Sequence, residues 1–83
     1  MITAKVKVGS NKTYEATGDT TQEALEGLNL RNIRRAGVLT LSTKDKSVEK
    51  IIPVRNMFRL SHATPSIRAL ASKQIAHLFI NAI

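Results

Sequence analysis

The sharpest chemical signal in the chain is a cluster of arginines near its middle. Arg31, Arg34 and Arg35 fall within five residues, with Asn32 and Ile33 between them. A guanidinium group presents a rigid fork of N–H donors that matches a phosphate group in bidentate fashion. The cluster therefore predicts a phosphate contact. The alternative is a solvated loop or helix end, where basic side chains complement the helix dipole.

A second basic group follows the arginines. Lys44 and Lys46 fall in a polar turn, and Lys50 lies a few residues further on. The predicted nucleic-acid-binding residues are Arg31, Arg34, Arg35, Lys44, Lys46 and Lys50. The whole chain carries 13 Lys and Arg against 6 Asp and Glu, a formal net charge of +7. Such an excess suits nucleic acid, an anionic surface or an acidic protein partner.

Residues that could carry catalysis or bind a metal are few and scattered. The absence of cysteine removes thiol nucleophiles, disulfides and ordinary structural zinc sites together. His62 and His77 have no cysteine companion, and the carboxylates fall mostly at predicted turns, caps and exposed faces. The glycines are scattered singly, so no phosphate-binding glycine loop is present. We therefore expect no catalytic residue, no metal site and no cofactor.

Two β-hairpins are predicted to position the basic groups. Residues 2–8 alternate between apolar and polar side chains, which indicates a strand with one buried face. A turn at residues 9–12 leads into a short returning strand at 13–17. Residues 38–42 and 48–52 form the second hairpin, and Pro53 ends its last strand or places it at a sheet edge.

Two short helices are predicted to follow the hairpins. Thr20 with Glu23 three residues later is a capping box, and it favours a helix from Thr21 to about Leu28. Residues 54–60 form the second helix. Its expected inward residues are Val54, Met57, Phe58 and, as an open alternative, Leu60.

The last twenty residues form the largest apolar segment. Thr64 as N-cap and Pro65 at the first helical position predict a helix that continues to the end of the chain. Its core-facing stripe is expected to be Ile67, Leu70, Ala71, Ile75, Leu78, Phe79 and Ala82. A weaker stripe on the opposite side is a predicted interface for self-association or a protein partner: Ala69, Ala76, Ile80 and Ile83. The alternative is a frayed apolar tail. The segment is too short for a membrane span.

These elements predict a single small basic α+β domain over residues 1–83, in the order β-β-α-β-β-α-α. Helices would cover one face of an antiparallel sheet. The expected buried residues of the sheet are Ile2, Val6, Leu39, Leu41 and either Ile51 or Ile52. The order of strands within the sheet stays open.

Two local resemblances accompany this pattern. Residues 18–25 resemble the strand-to-helix junction of HicB-type antitoxin domains, and residues 4–28 are similar to the later half of double-stranded-RNA-binding domains. Each likeness covers at most a third of the chain. The helix start carries Asp19 and Glu23, where binding to duplex RNA would call for lysines. Neither resemblance therefore assigns a family.

Three functional hypotheses follow. The first is a non-enzymatic nucleic-acid-binding or nucleic-acid-associated protein that contacts phosphates of DNA or RNA without clear sequence specificity. The second is a structural subunit of a larger particle, viral or otherwise, that self-associates through the C-terminal helix. The third is a small antitoxin-like inhibitor of one protein target. The N-terminus lacks the apolar run of a signal peptide, so an intracellular or virion location is expected.

Overall fold

The computed structural model describes residues 1–10 and 12–82. It confirms the α+β class and the predicted order of elements. The elements are β1 (Ile2–Val8), β2 (Lys12–Gly18), α1 (Thr21–Glu26), β3 (Gly37–Ser42), β4 (Ser47–Ile52), α2 (Val54–Leu60) and α3 (Pro65–His77).

The four strands form one antiparallel sheet in the order β2-β1-β3-β4. Both predicted hairpins are present, and the pairing of β1 with β3 joins them. The register places Val6 between Tyr14 on one side and Leu39 on the other. Because side chains alternate along a strand, this register directs the apolar residues of β1 and β2 to the same face as Leu39 and Leu41 of β3.

The core lies between that face and the three helices. Ala4, Val6, Leu39 and Leu41 are completely or almost completely buried. The molecule is only 18 Å thick along its shortest axis, which is the thickness of one sheet and one layer of helices. In the second hairpin the buried isoleucine is Ile52. In the described part of the chain no helix packs on the opposite face of the sheet, where Lys5, Lys7 and Ile51 are exposed.

Helix α1 begins at the predicted cap. The Thr20 hydroxyl accepts a hydrogen bond from the Glu23 N–H at 3.1 Å, and the Glu23 carboxylate accepts one from the Asp19 N–H at 3.1 Å. The helix ends at Glu26, shorter than predicted, and Gly27 forms the C-cap. Leu28 is still fully buried, although it lies in the loop that follows.

The prediction for α2 was wrong at two positions. Met57 and Leu60 are buried, whereas Val54 and Phe58 are about half exposed. A helix of two turns touches the core along a single narrow edge, so its second apolar edge stays outside. The buried edge packs closely against the start of β3: a Cβ on Gly37 would lie 2.8 Å from the Met57 Cε, so the methionine side chain would have to shift.

The prediction for α3 was correct for Ala71 and Ile75, which are buried, and wrong for Leu70. Its buried residues are Ala71, Ser72 and Ile75, and Ile67 is half-buried. At 100° per residue, the position of Leu70 falls on the opposite side of the helix from this group. Leu70 is accordingly 52% exposed.

The end of α3 differs from the prediction as well. The helix begins at Pro65 after Thr64, although the Thr64 side chain makes no capping hydrogen bond. It ends at His77, and residues 78–82 continue in turns whose backbone bonds span three residues, such as Phe79 N–H to Ala76 O at 3.0 Å. This tighter winding rotates the side chains relative to an α-helix. Within these turns Phe79 is buried, whereas Leu78 is 48% exposed.

Candidate functional site

The three clustered arginines lie on a loop that is fastened to the core on both sides. Residues 27–36 lack helix and strand, but Leu30 and Ile33 are buried. Asn32 adopts a left-handed backbone with φ of 52°, a conformation that asparagine tolerates better than most residues. The Ile33 N–H donates to the Ser61 hydroxyl at 3.3 Å, which ties the loop to the end of α2. The loop therefore holds its apolar residues inward and its arginines in solvent.

A cleft of about 510 Å³ opens between this loop, the end of α2 and the beginning of α3. Arg31, Arg34 and Arg68 contribute its positive charge, and Phe58 and His62 line it as well. Its remaining described lining is neutral. This volume falls within the range of about 300–1,000 Å³ typical of ligand-binding sites.

Two further depressions adjoin the cleft, and Arg34 lines all three. One of about 330 Å³ includes Lys12 and Arg35, and the other, of about 380 Å³, includes Arg55. No aspartate or glutamate lines any of the three in the described part of the chain. We call these five exposed cations the arginine end: Lys12, Arg31, Arg34, Arg35 and Arg55.

The distribution of carboxylates along the sequence explains why cations, and no carboxylates, line these depressions. The chain has no acidic residue between Glu26 and Asp45, and none after Glu49. The arginine loop, α2 and α3 therefore contain no negative side chain. Charges of one sign that face the same solvent region add to a field that attracts polyanions.

Lys44 and Lys46 do not join the arginines. The arginine loop precedes β3, which begins at Gly37. The turn with the two lysines follows the other end of this strand, at Ser42. At about 3.4 Å per residue, the length of this strand separates the two groups by roughly 17 Å or more. The six residues predicted from the sequence consequently do not form one surface.

Lys50 is engaged within its own fold. Its register position opposite Leu39 places it on the helix-covered face of the sheet. Its ammonium donates to the Leu78 carbonyl at 2.6 Å and lies 5.2 Å from the centroid of the Phe79 ring. The side chain therefore runs along the C-terminal segment, away from the arginine end.

The predicted interface residues do not form one exposed surface either. Ala69 is half-buried, and Ala76 packs partly against the protein's own core. Ile80 is 67% exposed, while Ile83 lies outside the described residues. The alanines thus give no flat exposed stripe beside Ile80.

Arg68 is the residue of the cleft that the sequence did not single out. Its Nη2 donates to the backbone carbonyls of Glu26 at 3.0 Å and Leu28 at 2.8 Å, and its Nε is buried without a hydrogen-bond partner in the described structure. It thereby joins α3 to the end of α1 and forms part of the cleft wall. Lys12 and Arg55 were missed because each is an isolated cation in the sequence.

Residues 1–10 and 12–82 contain neither a metal-binding cluster nor a membrane-spanning helix. No group of three or more histidine, aspartate or glutamate side chains there could hold a metal ion. No helix in the same residues has the length and apolarity needed to cross a membrane. No family model matches the chain, and no curated protein or solved structure is significantly similar to it.

Proposed function

We propose that the protein is a non-enzymatic nucleic-acid-binding protein that holds phosphate groups on the arginine end. The observation that carries this proposal is the convergence of the five cations of the arginine end, in three adjoining depressions without a carboxylate in their described lining. Neutralisation of phosphates by such cations releases condensed counterions, which supplies most of the affinity in sequence-independent binding.

The anchored loop supports the same proposal. The buried Leu30 and Ile33 fix the backbone on both sides of Arg31 and next to Arg34. A fixed backbone lowers the entropy that is lost when the guanidinium groups settle on phosphates. Contacts of this kind set the position of the nucleic acid and carry no sequence information themselves.

Two charge-matched double variants test the proposal. Arg31→Glu with Arg34→Glu changes the arginine end, and Lys44→Glu with Lys46→Glu makes the same change in net charge at the other end of the sheet. Affinity for fluorescently labelled DNA is measured by anisotropy over a series of salt concentrations. The arginine variant should bind at least about tenfold more weakly, and its duplex salt slope should fall by about 2, since each lost phosphate contact removes about 0.9.

The lysine variant should keep most of the affinity and the slope. Circular dichroism melts establish that both variants are folded, as expected for exposed side chains. Equal losses in the two variants would assign the binding to net charge alone and refute a site at the arginine end. Parent protein that binds no DNA or RNA in a salt-dependent manner would refute the function itself.

A second candidate function is an assembly subunit, and a different observation favours it. Leu78 is 48% and Ile80 is 67% exposed, and the two lie close together in the C-terminal segment. Exposed apolar side chains that are adjacent in a small protein often mark a protein contact. Such a subunit would pack this segment against a second copy or another protein, and its arginine end would remain free for packaged nucleic acid.

A further inference from the structure

Phe58 gives the arginine end a feature that phosphate binding alone does not need. It is 44% exposed, whereas Tyr14 is half-buried and Phe79 is buried, so it is the exposed aromatic ring of the described residues. Its ring lines the cleft between two polar neighbours. The Arg34 guanidinium lies over the ring, with its Cζ 5.9 Å from the ring centroid, and the His62 and Phe58 rings form a T-shaped pair with centroids 6.1 Å apart.

Hydrogen bonds of Ser61 connect the Phe58 backbone to the arginine loop. The Ser61 hydroxyl donates to the Phe58 carbonyl at 2.9 Å and accepts from the Ile33 N–H at 3.3 Å. One side chain thus joins the helix that carries the ring to the loop that carries the cations. His62 is fixed as well, because its Nδ1 accepts from the Thr64 N–H at 3.1 Å.

A ring beside cations matches the chemistry of an unpaired nucleotide. The aromatic face can stack on a base of any identity, and the neighbouring arginines can hold the flanking phosphates. Asn29 and Asn32 also line the cleft, and their amides can bond the edge of a base that is not paired. In a duplex, by contrast, each base face is covered by the next base, and a stacking ring has no partner.

We infer that the protein binds single-stranded nucleic acid, with one unpaired base stacked on Phe58 and the adjacent phosphates on Arg31 and Arg34. This inference rests on the proposed function and names its ligand class. Stacking is tolerant of sequence, so it adds affinity without base specificity. Arg34 would serve both parts of the site, because its guanidinium lies over the ring and it lines all three depressions.

The experiment compares labelled DNA strands of about 16 nucleotides, the upper end of the site sizes of single-strand-binding folds. One strand carries its bases, one is abasic with the same phosphates, and a third is the base-paired duplex. An RNA strand of the same sequence distinguishes the two sugars. The parent protein should bind the base-carrying strand at least about fivefold more tightly than the abasic strand, since one stacked base contributes about that factor or more.

Variants of Phe58 identify the ring as the source of this difference. Phe58→Ala should bring the affinity for the base-carrying strand close to that for the abasic strand, and should leave the abasic affinity unchanged. Phe58→Leu keeps an apolar side chain without a π face and should behave like Phe58→Ala. Phe58→Tyr keeps the ring and should bind like the parent. A merely structural role for Phe58 would weaken binding of all strands equally.

Phe58→Trp supplies an independent measurement, because the chain contains no tryptophan. Its fluorescence should be quenched by base-carrying single strands and stay constant with the abasic strand. Equal affinity for abasic and base-carrying strands, or tighter binding of the duplex, would overturn the inference. In that case the proposed phosphate site at the arginine end would still be supported if Arg31→Glu with Arg34→Glu lowers the affinity for nucleic acid. Absence of salt-dependent binding to every probe would overturn both proposals.

Discussion

The Lys50 ammonium donates a hydrogen bond of 2.6 Å to the carbonyl of Leu78, twenty-eight residues later in the chain. The same ammonium lies 5.2 Å from the Phe79 ring, so one lysine contacts both the backbone and an aromatic side chain of the C-terminal segment. Backbone carbonyls at the C-terminal end of a helix attract a cation, and the Leu78 carbonyl follows the end of α3. Lys50 thus links the edge strand β4 to the turns that follow α3.

Lys50→Ala should lower the free energy of unfolding by about 0.5–1 kcal/mol, the typical contribution of a cation–π contact at an exposed site. Urea denaturation measures this change. Lys46→Ala is the matched control in the same hairpin, because Lys46 is exposed in the turn. DNA affinity should be similar in both variants. A loss of DNA affinity in Lys50→Ala but not in Lys46→Ala would place Lys50 in the binding site. It would contradict the view that Lys50 mainly stabilises the C-terminal segment.

Leu41→Ala and Leu70→Ala should differ widely in stability. Leu41 is completely buried, and its truncation should cost about 2–5 kcal/mol because a cavity remains. Leu70 is 52% exposed, and its truncation should change stability by less than about 0.5 kcal/mol. Denaturant midpoints of the two variants test this difference. Comparable large losses would mean that Leu70 is buried, as expected from the sequence.

Arg68→Met should destabilise the protein by about 1.5–3 kcal/mol, the usual magnitude for hydrogen bonds made by a charged group. The methionine keeps an apolar stem but no longer donates to the carbonyls of Glu26 and Leu28. Lys73→Met, at an exposed position of the same helix, is the control and should have little effect. Hydrogen exchange should accelerate in residues 27–33 in the Arg68 variant only. An unchanged melting curve would show that these bonds do not hold the loop.

Ile80→Glu should abolish any self-association of the protein while its fold is retained. Ile80 is 67% exposed, so the charge costs little in a monomer, whereas at an apolar contact it would be buried without a partner. Light scattering gives the mass, and circular dichroism gives the fold. Gln74→Glu, at an exposed position on α3, is the control for the added charge. A parent protein that stays monomeric at high concentration would remove the second candidate function.

The two hairpins and the capped helix could be predicted because their signals are local. Alternation from Ile2 to Val8 determines which residues of a strand share a face, and the Thr20–Glu23 pair determines where α1 begins. The cluster of arginines could be recognised for the same reason, because its members are neighbours in the sequence. The class and the order of elements follow from these short-range patterns.

The side of each helix that is buried was decided by the tertiary structure. In α3 the apolar residues occupy more than half of the circumference, so several rotations of the helix bury similar areas. Packing against α1 and α2 selects the rotation with Ala71 and Ile75 inside and Leu70 outside. Tertiary packing likewise determines that Phe58 and Leu78 are exposed.

In the candidate site, too, the sequence determined some features and the tertiary structure determined others. The sequence by itself determined an excess of positive charge, a cluster at Arg31, Arg34 and Arg35, and the absence of cysteine chemistry. Only the tertiary structure decided which cations meet. The strand register brings Lys12 to the arginines and sends Lys44 to the opposite end. The physical reason is that a single sequence records charges along the chain, whereas the field at a surface depends on distances between residues that are remote in that chain.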